Sequence, residues 1–252
     1  MSKEYIAKKL HNAAMKSSAI AQFGTTYDID LNAAYQIQKL NVQHRLDLGD
    51  YISGIKLGFT SKAKMTQMGV HELIWGRLTH RMEYADGDSL SIDEFIHPRV
   101  EPEIAFRIKR KIIRPLSITE LPDYVDYVCT ALEVIDSRYH DFKFSLADVI
   151  ADNCSSSSYI LGQRLKLDTN ISNLGIVLKI NGQSRAVGSS GAIMGNPWRA
   201  LLEASRITYK YGFQIEEGMI VLAGAATEAV AVNRSDKIEA YFEKGGSLKI
   251  SF

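Results

Sequence analysis

Near the start of the chain, apolar residues recur at helical spacing. Ile6, Leu10, Ala13 and Ala14 predict a helix over residues 3 to about 22. Asp30 reads as the N-cap of a second helix that closes near Gly49, with Ala34, Ile37 and Leu40 as its apolar stripe. His11 and His44 fall on these helices, where exposed or hydrogen-bonded histidines are expected rather than ligands. From Tyr51 the period changes to two. Residues 51–60 predict a strand with Ile55 and Leu57 on one face and Gly54, Lys56 and Gly58 on the other. Thr60 or Ser61 should cap a short helix ending near Gly69. Asp86-Gly87 predicts a turn, residues 117–127 a short helix with Pro122 near its start, and residues 144–150 one or two helical turns. Within 174–187, Asn181-Gly182 is a hairpin signal, and Asn196-Pro197 opens a helix that runs to about Tyr211 and closes at Gly212. Residues 219–252 alternate short apolar strands with turns at Asn233-Arg234-Ser235-Asp236 and Gly245-Gly246. Many short strands predict a mixed, largely β core rather than a doubly wound sheet.

The period-two pattern is chemically loaded in one place. In Val100-Glu101-Pro102-Glu103-Ile104-Ala105-Phe106, both carboxylates share a face, while Val100, Ile104, Phe106 and Ile108 share the other. Pro102 lacks a donor and suggests a strand edge, a strand start or a bulge. Paired carboxylates can hold a hard divalent cation; an amphipathic strand showing its charged face to water is the ordinary alternative. A second strand, Ala131-Leu132-Glu133-Val134-Ile135-Asp136-Ser137-Arg138, sets one carboxylate among apolar residues. A buried, ionised Glu133 must be paired or bind metal, so three carboxylates become a plausible cage.

Composition changes the picture only by exclusion. With 46% hydrophobic and 23% charged residues, the 252-residue chain suits a packed core rather than disorder. A net charge of +1 gives no pull toward nucleic acid or anionic membrane. Cys129 and Cys154 form no zinc or disulfide pattern and are expected as free thiols in a reducing compartment. No apolar run approaches the ~20 residues of a membrane span, and no leader-like apolar segment follows the N-terminus. The expectation is a cytoplasmic protein with a helical region over 1–50 and a mixed β core over 51–252.

The ordered motifs resemble a family. Glu101-x-Glu103, then Glu133-Val134-Ile135-Asp136-Ser137-Arg138 about thirty residues on, then Ala151-Asp152-Asn153, is similar to the 2-keto-4-pentenoate hydratase / 4-oxalocrotonate decarboxylase group of the fumarylacetoacetate hydrolase superfamily. Gly54-Ile55-Lys56-Leu57-Gly58-Phe59-Thr60-Ser61-Lys62-Ala63-Lys64-Met65 and Leu222-Ala223-Gly224-Ala225-Ala226-Thr227 extend the likeness over essentially the whole chain. The resemblance implies an α+β fold: a distorted barrel-like sheet of the fumarylacetoacetate hydrolase C-terminal type behind a smaller helical region. It implies Glu101, Glu103 and Glu133 as ligands of Mg²⁺ or Mn²⁺, with Lys56 and Asp152 moving protons. Arg138 is a candidate for orienting an acidic ligand, or else a structural ion pair. Ser155 and Ser156 are candidate hydrogen-bonding partners of substrate; the absence of a Gly-x-Ser-x-Gly elbow disfavours either as a nucleophile. The polar run 151–156 is by itself too dense for a core and would ordinarily be a solvated turn.

The activity implied is metal-dependent decarboxylation of 2-oxo-hex-3-enedioate to 2-hydroxypenta-2,4-dienoate and CO₂, in meta-cleavage catabolism of aromatic compounds. Hydration of 2-hydroxypenta-2,4-dienoate is the first alternative. An acylpyruvate hydrolase would call for a His–Glu pair that has no evident place here. A non-catalytic metal-binding subunit or carrier would need neither Lys56 nor Asp152. Ile74 favours the decarboxylase, because hydratases of the group commonly carry Asp just before the aromatic-Gly pair that is here Trp75-Gly76. His71 and Glu72-Leu73 depart from the branch pattern. Homo-oligomerisation, and association with a hydratase that uses the product, are further implications.

Overall fold

The computed structural model describes residues 2–24, 27–61, 65 and 72–252. The short helix expected to end near Gly69 therefore falls largely outside the described residues, as does His71. Helix α1 (Lys3–Met15) begins behind Ser2, whose hydroxyl accepts the Tyr5 N–H. It stops short of residue 22, and Ser17 just beyond its end turns to φ 47°. Helix α2 (Leu31–Leu46) begins behind Asp30, whose carboxylate accepts the Ala33 N–H. Ile6, Leu10 and Ile37 from the two helices close on Tyr139 and Ala151. Gln38 is fully buried and donates to the carbonyls of Trp75 at 2.9 Å and Ile150 at 3.0 Å, which ties α2 to the sheet. His11 and His44 stack on one another with ring centroids 5.1 Å apart, away from any ligand cluster.

The remaining elements are β1 (Ile52–Gly58), β2 (Ile74–Thr79), β3 (Glu83–Tyr84), β4 (Arg99–Ile108), α3 (Leu121–Tyr124), β5 (Val125–Ile135), α4 (Leu146–Ala151), β6 (Ser156–Leu165), β7 (Gly175–Ile180), β8 (Gln183–Ser189), α5 (Pro197–Lys210), β9 (Ile220–Ala225), β10 (Val230–Ala231), β11 (Lys237–Phe242) and β12 (Gly246–Ser251). Eight strands form one mixed sheet in the order β2-β1-β9-β4-β5-β6-β3, with β10 on β4; β12-β11-β7-β8 form a second, antiparallel sheet. The large sheet curls into a half-barrel. The turn between β7 and β8 has Asn181 at φ 53° and Gly182 at φ 78°, both left-handed as a type I′ hairpin requires.

Alternation along β4 separates two environments. Val100, Ile104, Phe106 and Ile108 enter the main core, into which α5 inserts Ala200, Leu201 and Ala204. The other face carries Glu101, Glu103 and Ala105 inward, and on β5 Glu133, Ala131 and Cys129. Ala105, Cys129, Ala131, Leu222 and Tyr159 make a second, small apolar cluster there. Small residues suit the concave side of a curled sheet, where neighbouring side chains converge.

One expectation needs correction and one is narrowed. Pro102 lies neither at a sheet edge nor at a strand start, because β4 is flanked by β5 on one side and by β9 and β10 on the other; the bulge is the alternative left, since the β4–β9 register shifts between Glu103 and Ala105. The Pro102 carbonyl accepts the Ala226 N–H at 2.9 Å in the gap between β9 and β10, so its missing donor falls where the partner strand changes. The helix expected over 117–127 shrinks to Leu121–Tyr124, since Val125 already belongs to β5. The β-branched and aromatic run 125–128 follows the sheet instead.

Candidate metal centre and active site

Antiparallel registry builds the centre. Glu101 lies directly opposite Glu133 in the β4–β5 ladder, and Glu103 opposite Ala131. The three side chains are buried, and one carboxylate oxygen from each lies within 4.8 Å of the others. Like charges directly opposed destabilise a sheet unless something between them compensates. Lys56 on β1 supplies one positive charge: its Nζ is 3.1 Å from Glu133 Oε2 and donates to the Cys154 carbonyl at 3.0 Å. Glu103 Oε2 accepts the Gly224 N–H at 2.7 Å. Gly224 has φ 109°, and a Cβ there would meet Thr60 Oγ1 at 2.1 Å, so glycine is what lets this backbone donor reach the carboxylate.

The electrostatics are unbalanced. Burial lifts Glu133 to about 7 even though Lys56 opposes it, with Glu101 adding to the rise. Burial and then the charge of Glu133 raise Glu103 well above the usual carboxylate range. Burial pulls the Lys56 ammonium down, but Glu133, with smaller help from Cys154, Glu101 and Glu103, holds it above the ordinary lysine value. Among the described residues, Glu103 Oε1 and Glu133 Oε1 are buried without a hydrogen-bond partner. Three clustered carboxylates, with buried oxygens of Glu103 and Glu133 left over among the described residues, fit a hard divalent cation.

A cavity of ≈ 150 Å³ opens beside the carboxylates, lined by Lys56, Glu101, Ile74, Ser155, Arg99 and Phe142 among others. The run 151–156 borders it and is not a solvated turn: Asp152, Asn153, Cys154, Ser155 and Ser156 are all buried. Asn153, Cys154 and Ser155 take φ of 54°, 54° and 57°, three consecutive left-handed residues without a glycine. Each such residue costs about 1–2 kcal/mol, so the surroundings must impose the shape. Part of that constraint is a clamp on β2. Asn153 Oδ1 accepts the Arg77 N–H at 2.7 Å and its amide donates to the Arg77 carbonyl at 2.8 Å. Gly76 permits the approach, since a Cβ there would stand 2.5 Å from the Asn153 carbonyl oxygen.

The structure separates the sequence candidates. Lys56, Glu101, Ser155 and Ile74 line the cavity, and Glu103 and Glu133 stand with Glu101. Arg138 and Asp152 do neither. Their side chains form a buried ion pair, the Arg138 backbone N–H donates to Asp152 at 3.0 Å, and the guanidinium also donates to the carbonyls of Asp136 and Ser156. Burial raises Asp152 to about 6 while Arg138 pulls it back. The pair sits beside the strained turn, so the side-chain partner of Asp152 is Arg138, and neither residue lines the cavity. Ser156 is buried with its hydroxyl unpartnered among the described residues, but it does not line the cavity. Sequence reasoning passed over Arg99 and Phe142. Arg99 was recoverable, because it precedes Glu101 by two residues and shares its face.

Residues 75–252 match the fumarylacetoacetate (FAA) hydrolase C-terminal family, and the chain belongs to it. Within that family it is 43% identical over 246 residues to a 4-oxalocrotonate decarboxylase of Pseudomonas sp., covering 98% of this chain and 96% of the relative. It is 32% identical over 254 residues to a 2-keto-4-pentenoate hydratase of Paraburkholderia xenovorans, covering 99% and 94%. The 4-oxalocrotonate decarboxylase of Pseudomonas putida G7, solved with magnesium and adipate, superposes with a TM-score of 0.96 at 31% identity over 99% of this chain and 97% of that one.

Proposed function

We propose that this chain is a lyase that decarboxylates 2-oxo-hex-3-enedioate to 2-hydroxypenta-2,4-dienoate and CO₂, using a divalent cation held by Glu101, Glu103 and Glu133. The observation that carries the reading is the buried cluster of three carboxylates at the cavity, in a chain most of whose length aligns with decarboxylase relatives. Oxygen-only ligands favour Mg²⁺ or Mn²⁺. When bound, such a cation supplies Lewis-acid polarisation and charge neutralisation for a 2-oxo acid.

The chain's own residues supply the rest. Cleavage of the C5–C6 bond releases CO₂; its electron pair forms C4=C5, the C3=C4 pair shifts to C2=C3, and the 2-oxo oxygen takes the charge. Lys56 Nζ, held by Glu133 and the Cys154 carbonyl, is the proton carrier for that oxygen. The Ser155 hydroxyl is buried at the cavity wall without a partner among the described residues, and it is free to bind a substrate oxygen. Ile74 is 3% exposed and keeps its part of the wall apolar, where a hydratase needs a group to activate water. A drier wall also leaves a departing carboxylate poorly solvated. A hydratase is the class of enzyme that would use the product; self-association, or association with such a hydratase, extends the family resemblance. No described helix is long and apolar enough to cross a membrane.

The test is direct. Purified protein with Mg²⁺ or Mn²⁺ is given 2-oxo-hex-3-enedioate and, separately, 2-hydroxypenta-2,4-dienoate, and ultraviolet absorbance and CO₂ are followed. Metal-dependent CO₂ release with little hydration is expected; rapid hydration without CO₂ would replace this reading with the hydratase.

A further inference from the structure

Arg99 is the second cation lining the cavity among the described residues, and it differs from Lys56 in having no carboxylate. None of the ion pairs among the described residues includes it. It is nevertheless held in place. Its guanidinium carbon stands 4.4 Å from the centroid of the Phe142 ring, and the His97 ring packs against the same ring, tilted, with centroids 4.6 Å apart. Phe142 and its neighbour Asp141 have φ of 55° and 57°, so a strained turn presents the ring. Asp136 accepts the N–H groups of Ile96 at 2.9 Å and His97 at 2.8 Å, which fixes the chain just before Arg99 enters β4. A guanidinium lying on an aromatic face keeps its edge N–H groups available to a planar carboxylate.

We infer that Arg99 receives the distal carboxylate of the substrate and selects dicarboxylic over monocarboxylic 2-oxo acids. The inference rests on the proposed function. Arg99, Glu101 and Glu103 alternate along one face of β4, and alternate strand residues stand about 6.6 Å apart. The C1–C6 chain of 2-oxo-hex-3-enedioate has five bonds and spans about 6 Å when extended. With the 2-oxo acid end at the three glutamates, the far carboxylate falls one alternate position back along the strand, at Arg99. Phe142 and Phe144 also line the cavity, which suits the apolar middle of the substrate. Because that carboxylate leaves as neutral CO₂ while charge moves to the 2-oxo oxygen, Arg99 binds the ground state at least as well as the transition state. Its loss belongs in KM rather than kcat.

The experiment measures binding of 2-oxohexanedioate and 2-oxohexanoate to the Mg²⁺-loaded protein by calorimetry, in the natural chain, Arg99→Gln and Arg99→Lys. The natural chain should prefer the dicarboxylate by about 10- to 100-fold. Arg99→Gln should lose that preference while its affinity for 2-oxohexanoate stays within about threefold of the natural chain; Arg99→Lys, with the charge but not the planar fork, should fall between. In turnover, Arg99→Gln should raise KM by a similar factor with kcat unchanged or higher. Retention of the preference by Arg99→Gln would overturn the inference, as would a fall in kcat at unchanged KM. Failure of both acids to bind the natural metal-loaded protein would remove the proposed function itself, and the inference with it.

Discussion

At the scale of single residues, the proposed function divides the chemistry between Glu133 and Lys56. Glu133→Gln removes one of the three proposed charged ligands while keeping shape and volume. It is expected to weaken Mg²⁺ binding by at least about tenfold and to remove most turnover at limiting metal. Isothermal titration and a metal-limited rate assay check this, and full activity in metal-limited buffer would rule out the cage. Lys56→Met keeps much of the stem but loses the ammonium that faces Glu133 and the Cys154 carbonyl. Mg²⁺ binding should survive and kcat should fall by about 10²- to 10⁴-fold, the range for a positioned proton carrier. Unchanged kinetics would return Lys56 to a purely structural role. Both residues were legible in the sequence for simple reasons: Glu133 interrupts an apolar run, and Lys56 is flanked by glycines. The partner of Asp152 was not legible in the same way, because a carboxylate's partner cannot be read from its neighbours in sequence; here it is Arg138, fourteen residues upstream.

At the scale of elements, the site depends on backbone that only certain residues allow. The loop after α4 carries three left-handed residues and is held by Arg77 on β2 through Asn153. Asn tolerates this conformation better than most side chains and also supplies both hydrogen bonds. Asn153→Ala loses both at once, in a buried position. Stability should fall by about 2–3 kcal/mol, and kcat should drop because Ser155 and the Cys154 carbonyl that holds Lys56 are carried by the same turn. Chemical denaturation and steady-state kinetics on one preparation test the link. A variant with unchanged stability and rate would show that the clamp does not set the turn. The span of α4, Leu146–Ala151, was close to the expected 144–150, whereas the helix expected over 117–127 lost most of its length to β5. A short segment with mixed signals follows the neighbour that offers the larger hydrogen-bonded ladder.

At the scale of the whole molecule, the triad couples stability to pH and to metal. In the metal-free protein, Glu133 is raised from 4.5 to about 7, chiefly by burial, and Glu103 is raised as well. A carboxyl whose value is higher folded than unfolded binds its proton more tightly in the fold. Its contribution to stability is therefore complete below about 4.5 and is lost as pH rises through about 7. Melting in chelator should show the part of Tm owed to Glu103 and Glu133 falling by roughly 5–10 °C between those limits. Mg²⁺ should restore it at neutral pH, because the cation binds only the folded, deprotonated cage. Differential scanning fluorimetry with and without metal measures the difference; parallel pH curves under the two conditions would separate the triad from metal binding.

The sequence by itself determined the starts of α1, α2 and α5, the hairpin at Asn181-Gly182, the strand alternation and the identity of the three clustered glutamates. Each of these follows from short-range geometry: side-chain period, capping chemistry, or the misfit of a charge in an apolar run. It also determined the family, since ordered motifs survive without coordinates. Only the tertiary structure decided that Glu101 and Glu103 face a buried cavity rather than water, because one amphipathic strand looks the same on either side of a sheet. Only tertiary structure placed Glu133 opposite Glu101, because registry is a relation between strands separated by a helix and a loop. The same holds for the burial of the polar run 151–156 and for the pairing of Arg138 with Asp152. A polar group can be buried wherever distant chain supplies its partners, and those partners are fixed by the closing of the whole half-barrel rather than by any local stretch.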